Sequence, residues 1–283
     1  ALLTAVCWSI AVILFDLSSN KLTPLQINII KNSVGVFGFL STIKIFSITY
    51  PGFSNNELGI LFASGLVGVG IADLFFLKSL KIIGSSLSAI VSAIYAPSVF
   101  IIAYIYFNEV LTLHTLFGSV LVICGIIIST YNLKRTKLST KIYIGITYGC
   151  LAQILTAISV LSVKPIMLDN PILYVALIRF ATGLLFTLML IVYRSGLKAL
   201  FDTIKVGYGN CKVLLGAFFG TYLSVILWLA GYKYTLAARA AIYNQLSTIL
   251  IAILAVFFLG EKLTNKKIIG IIFAFVGAVF ISF

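Results

Sequence analysis

The chain has 283 residues, of which 61% are apolar and only 10% charged, and its mean hydropathy is +1.17. Soluble domains carry about 25% charged residues, which excludes a water-soluble fold, and runs of about 20 apolar residues exclude a β-barrel, whose strands read as short alternating segments. The formal charge of +13 would suggest nucleic acid in a soluble protein, but here the Lys and Arg residues sit mainly in short loops, where they set topology and meet anionic membrane lipids.

Ten apolar segments follow in order, at 1–17, 25–48, 58–78, 83–107, 113–131, 142–163, 171–193, 212–232, 235–259 and 265–283. Lipid offers the backbone no hydrogen-bond partners, so each segment is expected to be helical. The first run already contains Ala1, which implies preceding residues, and no cleavable signal is readable. Ser18-Ser19-Asn20, Tyr50-Pro51-Gly52 and Asp169-Asn170-Pro171 read as turns, and the longest connection is the mixed-charge stretch Arg194–Lys212. The basic run LKRTKLSTK, Leu133–Lys141, separates a first unit at 1–132 from a second at 142–283.

The two units are copies. FNEVLTLHTLFGSVLVICG (Phe107–Gly125) lies over LGEKLTNKKIIGIIFAFVG (Leu259–Gly277) at an offset of 152, so Glu109, Gly118 and Gly125 match Glu261, Gly270 and Gly277. At the same offset Leu80–Ile90 lies over Tyr232–Ile242, and with a slip of a few residues Pro24, Lys31 and Gly35 match Pro171, Arg179 and Gly183. Five helices are an odd number, so the second copy enters the membrane upside down. The expected fold is therefore an all-α membrane protein of ten transmembrane helices in two inverted five-helix repeats, with a cavity between them at mid-depth.

Ten helices in two halves, each closing on Glu-x-Leu-Thr-x(5)-Gly-x(6)-Gly, resemble the EamA family of the drug/metabolite transporter superfamily. Trp8, Pro97 twelve residues before Glu109, and the basic pair Lys31 and Arg179 fit it; Ile249 in place of a second Pro and the absence of a second Trp depart from it. The resemblance implies a secondary transporter of small metabolites whose cavity is lined by helices one, three, four, six, eight and nine. It also implies cytoplasmic termini. The loop charges say the opposite, because loops after odd-numbered helices hold most of the Lys and Arg residues. IGSSLSAIVSAIYAP (Ile83–Pro97) is similar to choline-importing members.

Ionisable groups inside membrane helices are costly and need a reason. Asp73 is either a proton carrier or substrate counter-ion, or a structural partner of Lys31 or Lys78. Asp16 reads as interfacial. Lys31 and Arg179 either hold an anionic substrate group or snorkel to headgroups. Ser85, Ser88, Ser92 and Tyr95 recur at helical spacing, and Tyr243, Asn244, Gln245 and Ser247 occupy the matching region of the second unit; they line a cavity or glue helices together. Trp8, Tyr95, Tyr222, Trp228 and Tyr243 are candidates for an aromatic box around an organic cation, or for interface belts. Glu109 and Glu261 suit tight turns, each carboxylate accepting N–H groups from the helix that follows.

No HExxH, GxSxG, Walker loop or paired-acid motif is present, and Cys7, Cys124, Cys150 and Cys211 have no metal or disulfide spacing. The expectation is a multi-pass carrier of the inner or plasma membrane, without cofactor, catalytic residue or metal, monomeric or homodimeric. It would move an amino acid, amine or related solute by alternating access, with a coupling proton or Na+. Substrate-binding candidates are Trp8, Asp73, Ser88, Ser92, Tyr95, Arg179, Tyr222, Tyr243, Asn244 and Gln245. An importer of quaternary amines is the alternative within transport, an intramembrane lipid-modifying enzyme the alternative outside it, and no nucleic-acid partner is expected.

Overall fold

The computed structural model describes residues 2–107, 113–130, 137–234 and 237–281; the side chains of 2, 107, 115, 129–130, 137–139, 237–245, 278 and 281 lie outside the description. Within it the chain is helical throughout its apolar segments. The helices are α1 (Leu2–Ser19), α2 (Pro24–Ile45), α3 (Asn55–Ser64), α4 (Asp73–Ser92), α5 (Tyr95–Phe107) and α6 (Leu113–Thr130) in the first half. In the second half they are α7 (Lys137–Asp169), α8 (Ile172–Tyr208), α9 (Cys211–Ala217), α10 (Ser224–Tyr234), α11 (Ala237–Leu259) and α12 (Asn265–Ile281). Asn55–Ser92, Thr140–Asp169, Ile172–Tyr208 and Cys211–Tyr234 are each long and apolar enough to cross a membrane, and shorter apolar helices lie at Leu3–Ser19, Tyr95–Tyr106, Leu116–Ile128 and Leu246–Leu259.

Local chemistry sets the boundaries. Thr23 and Gln26 form a capping box at the start of α2, with Pro24 at its first position, and Ser54 and Glu57 form another at the start of α3. Between α3 and α4 the chain runs as π-helix over Gly65–Ala72, and between α9 and α10 it does so again over Phe218–Leu223. At the 152-residue offset these two segments coincide, so each half carries a π-helical widening at the same place in its third apolar segment. Gly84 (φ 73°, ψ 174°) bends the chain inside α4, in a region of backbone space that is essentially glycine-only. The helix breaks again before α5 because Pro97 has no N–H for the Ala93 carbonyl, which takes the Ala96 N–H instead.

The stretch expected as the longest connection, Arg194–Lys212, is instead mostly helical. It continues α8 to Tyr208 beyond a bend at Gly196 (φ 76°, ψ 172°), its apolar and basic residues giving it enough helix-compatible sequence to persist past the apolar run. The basic divider Leu133–Lys141 is helical from Lys137 onward.

Packing runs between the halves, and each contact has a counterpart. Helix α1 packs on α9, its π-helical continuation and α11, while its equivalent α7 packs on α3, that helix's π-helical continuation, α4 and α5. Helix α2 packs on α8, and α6 packs on α12. Gln26 at the start of α2 donates to Thr203 near the end of α8 (3.3 Å), and Tyr174 at the start of α8 donates to the Ile48 carbonyl beyond the end of α2 (3.0 Å). These equivalent helices therefore run antiparallel.

Two kinds of contact hold the halves together. Between α6 and α12 the backbones nearly touch: a Cβ on Gly125 would stand 2.8 Å from the Gly270 carbonyl oxygen, and one on Gly277 would stand 2.6 Å from that of Gly118. Small residues allow such an approach, and dispersion at close range replaces the hydrophobic drive that lipid removes. Elsewhere bulk meets space. Tyr222 fills the room beside Gly38, and Phe186 fills the room beside Gly70. Under the repeat Gly38 corresponds to Phe186 and Tyr222 to Gly70, so large and small have changed places across the two equivalent contacts.

Candidate functional site

A buried polar line runs along α2. Asn28, Lys31 and Asn32 occur in an apolar helix at spacings that share one face, and all three are buried. The Lys31 ammonium is ion-paired with the Asp73 carboxylate, donates to Asn32 Oδ1 at 3.0 Å, and stands 5.5 Å from the centre of the Phe180 ring. Asn32 donates to Asn28 Oδ1 (3.2 Å), and Asn28 donates to the carbonyls of Val69 and Gly70 at 3.3 and 3.4 Å. A π-helix shifts the carbonyl pattern of an α-helix, and here an amide from another helix serves two carbonyls of the widened turn. Asp73 begins α4 immediately after that segment, so the π-helix positions the partner of Lys31.

Arg179 is the counterpart of Lys31 on α8 and is only 2% exposed. Its Nη2 donates to Ser159 Oγ at 2.9 Å, while Nε and Nη1 have no hydrogen-bond partner among the described residues. Ser159 Oγ in turn donates to the Ser64 carbonyl (2.9 Å), and Ser64 Oγ donates to that of Ser159 (2.8 Å). Gly68 in the π-helical segment leaves the room that Ser159 occupies; a Cβ there would come 2.1 Å from Ser159 Oγ and 3.4 Å from Arg179 Nη2. Asp73 and Tyr95 lie within electrostatic reach of Arg179.

The remaining candidates divide into groups. Tyr95 and Tyr232 share a 2.6 Å hydrogen bond between their hydroxyls, and Trp228 stacks edge-on against Tyr232 at 5.6 Å. Tyr222 belongs to the same apolar cluster but bonds Thr42 at 2.6 Å and packs on Phe39 and Phe218. Trp8 lies in a separate cluster, 5.5 Å from Phe76. Ser92 accepts a hydrogen bond from Gln153 at 3.1 Å, whereas the Ser88 hydroxyl is buried without a partner among the described residues. The side chains of Tyr243, Asn244 and Gln245 lie outside the described residues, as does Glu109. Of the sequence candidates, Asp73, Tyr95 and Arg179 thus come together, and Trp8 and Tyr222 stand apart from them. Asn28, Asn32, Ser159 and Tyr232 were missed, although polar residues inside apolar runs were their signal.

Glu261 has a different partner from the one its sequence position suggests. Its Oε1 accepts the backbone N–H groups of Ser85 (3.0 Å) and Ser86 (3.4 Å), just past the Gly84 bend in the opposite half, and Oε2 accepts from Lys267 at 3.1 Å. It therefore caps the resumed helix of α4 and does not cap the backbone of α12, because the bend exposes free N–H groups within its reach. Burial pushes this carboxyl up, but the hydrogen bonds from Ser86 and Lys267 and the Lys267 charge outweigh it and leave it below the ordinary carboxylate value. Asp16 accepts a hydrogen bond from Ser85 Oγ at 2.5 Å.

A groove of about 380 Å³ is lined by residues of α2, α4 and α8 that include Leu74, Phe75, Lys78, Phe186 and Arg194, and by none of Lys31, Asp73 and Arg179. The chemistry is gathered instead where α2, α8, α7 and the first π-helical segment meet.

The model of the EamA-like transporter family matches the chain twice, at residues 1–131 and 143–283. One crystal structure of a protein superposes with a TM-score of 0.68 over 98% of this chain and 95% of its own, at 12% sequence identity, which is a likeness of fold alone. No curated protein sequence matches the chain significantly.

Proposed function

Because the chain belongs to the EamA-like transporter family and is an integral membrane protein, we propose that it is a secondary active carrier of a small metabolite. The solute is an amino acid, an amine or a related compound, moved across the inner or plasma membrane by alternating access. On this reading the units at 1–132 and 142–283 each cross the membrane five times, and the second is inverted. The observation that carries the reading is the mirrored packing between halves around a buried charged centre. Helices α1 and α7 each lie against the third and fourth apolar segments of the other half, so rocking one half on the other exposes the centre first to one side and then to the other.

Within this scheme Asp73 is the group through which a proton or Na+ acts. It is the carboxylate of the centre, and its side chain keeps 23% exposure against 7% for Lys31. A cation that neutralises Asp73 releases Lys31, which changes what α2 and α4 hold in common. Trp8, Ser88, Ser92, Tyr95, Tyr222 and the cluster Tyr243, Asn244 and Gln245 would face the solute as the halves part.

A second reading, import of a quaternary amine, is favoured by the contact between Tyr95, Tyr232 and Trp228, since aromatic faces attract cations. The test is counterflow in proteoliposomes with radiolabelled amino acids and amines under imposed proton or sodium gradients. Uptake that depends on one gradient and is lost in Asp73→Asn is expected. A protein that exchanges none of these solutes is not a metabolite carrier of this kind.

A further inference from the structure

We propose that the transported solute carries an anionic group, a carboxylate or a phosphate, and that Arg179 binds it. The inference rests on the carrier reading above and names the chemistry of its central site. Two basic residues, Lys31 and Arg179, are buried among the described residues, and they are not equivalent. Lys31 is ion-paired with Asp73, bonded to Asn32 and laid against the Phe180 ring. Among the described residues Arg179 has one hydroxyl, that of Ser159, and two nitrogens without a hydrogen-bond partner.

A buried charge without a counter-charge is expensive, and so is each buried donor left unpaired. Asp73 cannot settle both cations, because its carboxylate is taken by Lys31. The centre is therefore one negative charge short. A planar fork with several free N–H groups matches a carboxylate or phosphate in both charge and shape. An arginine that only pinned helices together would spend its donors on backbone carbonyls or a carboxylate. This one bonds Ser159 alone among the described residues, which leaves Nε and Nη1 free.

The same balance argues against a purely cationic solute. A quaternary amine would add positive charge to a centre that already has too much. A zwitterion suits it better, its anionic end on Arg179 and its cationic end towards the Tyr95, Tyr232 and Trp228 group.

The test uses the purified full chain in nanodiscs and measures melting temperature with alanine, phenylalanine, succinate, inorganic phosphate and choline as probes. At least one anionic or zwitterionic probe is expected to raise the melting temperature by mass action. That shift should vanish in Arg179→Gln, weaken at least about tenfold in apparent affinity in Arg179→Lys, where a point charge replaces the fork, and persist in the surface control Lys212→Gln. Without any probe, Arg179→Gln should melt at or above the wild-type temperature, because the substitution relieves an unpaired buried charge. A structural role gives the opposite result, with ligand-free melting lowered and the probe shift intact. Should Arg179→Gln fail to fold, a shift weakened at least about tenfold in Arg179→Lys supports the proposal and an undiminished one overturns it. Stabilisation by choline alone also overturns the anionic site while leaving a carrier. No shift and no counterflow with any probe overturns the carrier reading itself.

Discussion

The ion pair between Lys31 and Asp73 allows a quantitative test of the charged centre. Breaking a buried pair by removing one partner costs about 3–5 kcal/mol, because the survivor is left buried and uncompensated. The structure separates the two single variants and sets them at or below the lower end of that scale. In Asp73→Asn the Lys31 ammonium keeps Asn32 at 3.0 Å and the face of Phe180 at 5.5 Å, so the loss should be about 2 kcal/mol. In Lys31→Met the Asp73 carboxylate loses its ion-pair partner, eased by its 23% side-chain exposure and by the charge of Arg179 within electrostatic reach, and the loss should be about 3 kcal/mol. With both charges gone, Lys31→Met/Asp73→Asn should cost about 2 kcal/mol rather than the sum of about 5. The assay is reversible unfolding in mixed micelles at pH 7, run as a double-mutant cycle. Additivity within about 0.5 kcal/mol would show that the two groups do not depend on each other and would refute the reasoning.

Three further outcomes follow from the packing and the caps. Gly277→Val places a side chain against the Gly118 carbonyl and Val122, and should cost about 1–3 kcal/mol in unfolding assays while leaving the α2–α8 contact intact. Gly84→Ala forces an L-residue into a glycine-only backbone region, at about 1–3 kcal/mol, with its Cβ only 3.0 Å from Glu261 Oε1. Glu261 titrates below its ordinary value in the folded protein, so its contribution is present above the unfolded pKa and lost as pH falls through the lowered folded one. Glu261→Gln should therefore reduce stability at pH 7 and flatten its decline below about pH 4.5, as read from melting temperature against pH; an unchanged acid limb would count against the cap.

Much of this was legible in the sequence because its causes are local or periodic. Apolar run length gave the helices, and the common register of Glu, Leu-Thr and two glycines gave the duplication. The equivalence of Lys31 and Arg179 followed from the same register, while the expectation that Asp73 is a proton carrier or counter-ion, or a partner of Lys31 or Lys78, followed from its place inside an apolar run. What stayed hidden depends on the third dimension. GLVGVGIA and FFGTYL have no residue that dictates a π-helix; the widening is seen only with Asn28 serving its carbonyls from another helix. Glu261 looked local because it precedes a helix, yet its N–H partners are 175 and 176 residues away. The aromatic candidates shared a chemistry but not a place, since Trp8 packs with Phe76 while Tyr95 bonds Tyr232.

The exchanged sizes at Gly38 with Tyr222 and Gly70 with Phe186 bear on the history of the molecule. A symmetric dimer of first halves would set Gly38 against Gly70 and leave a void at each of its two interfaces. One of second halves would drive Phe186 into Tyr222. Only the mixed pair fills the space. Whatever homodimer preceded the duplication, the present halves have become lock and key to each other, and separately expressed halves should assemble only in unlike pairs.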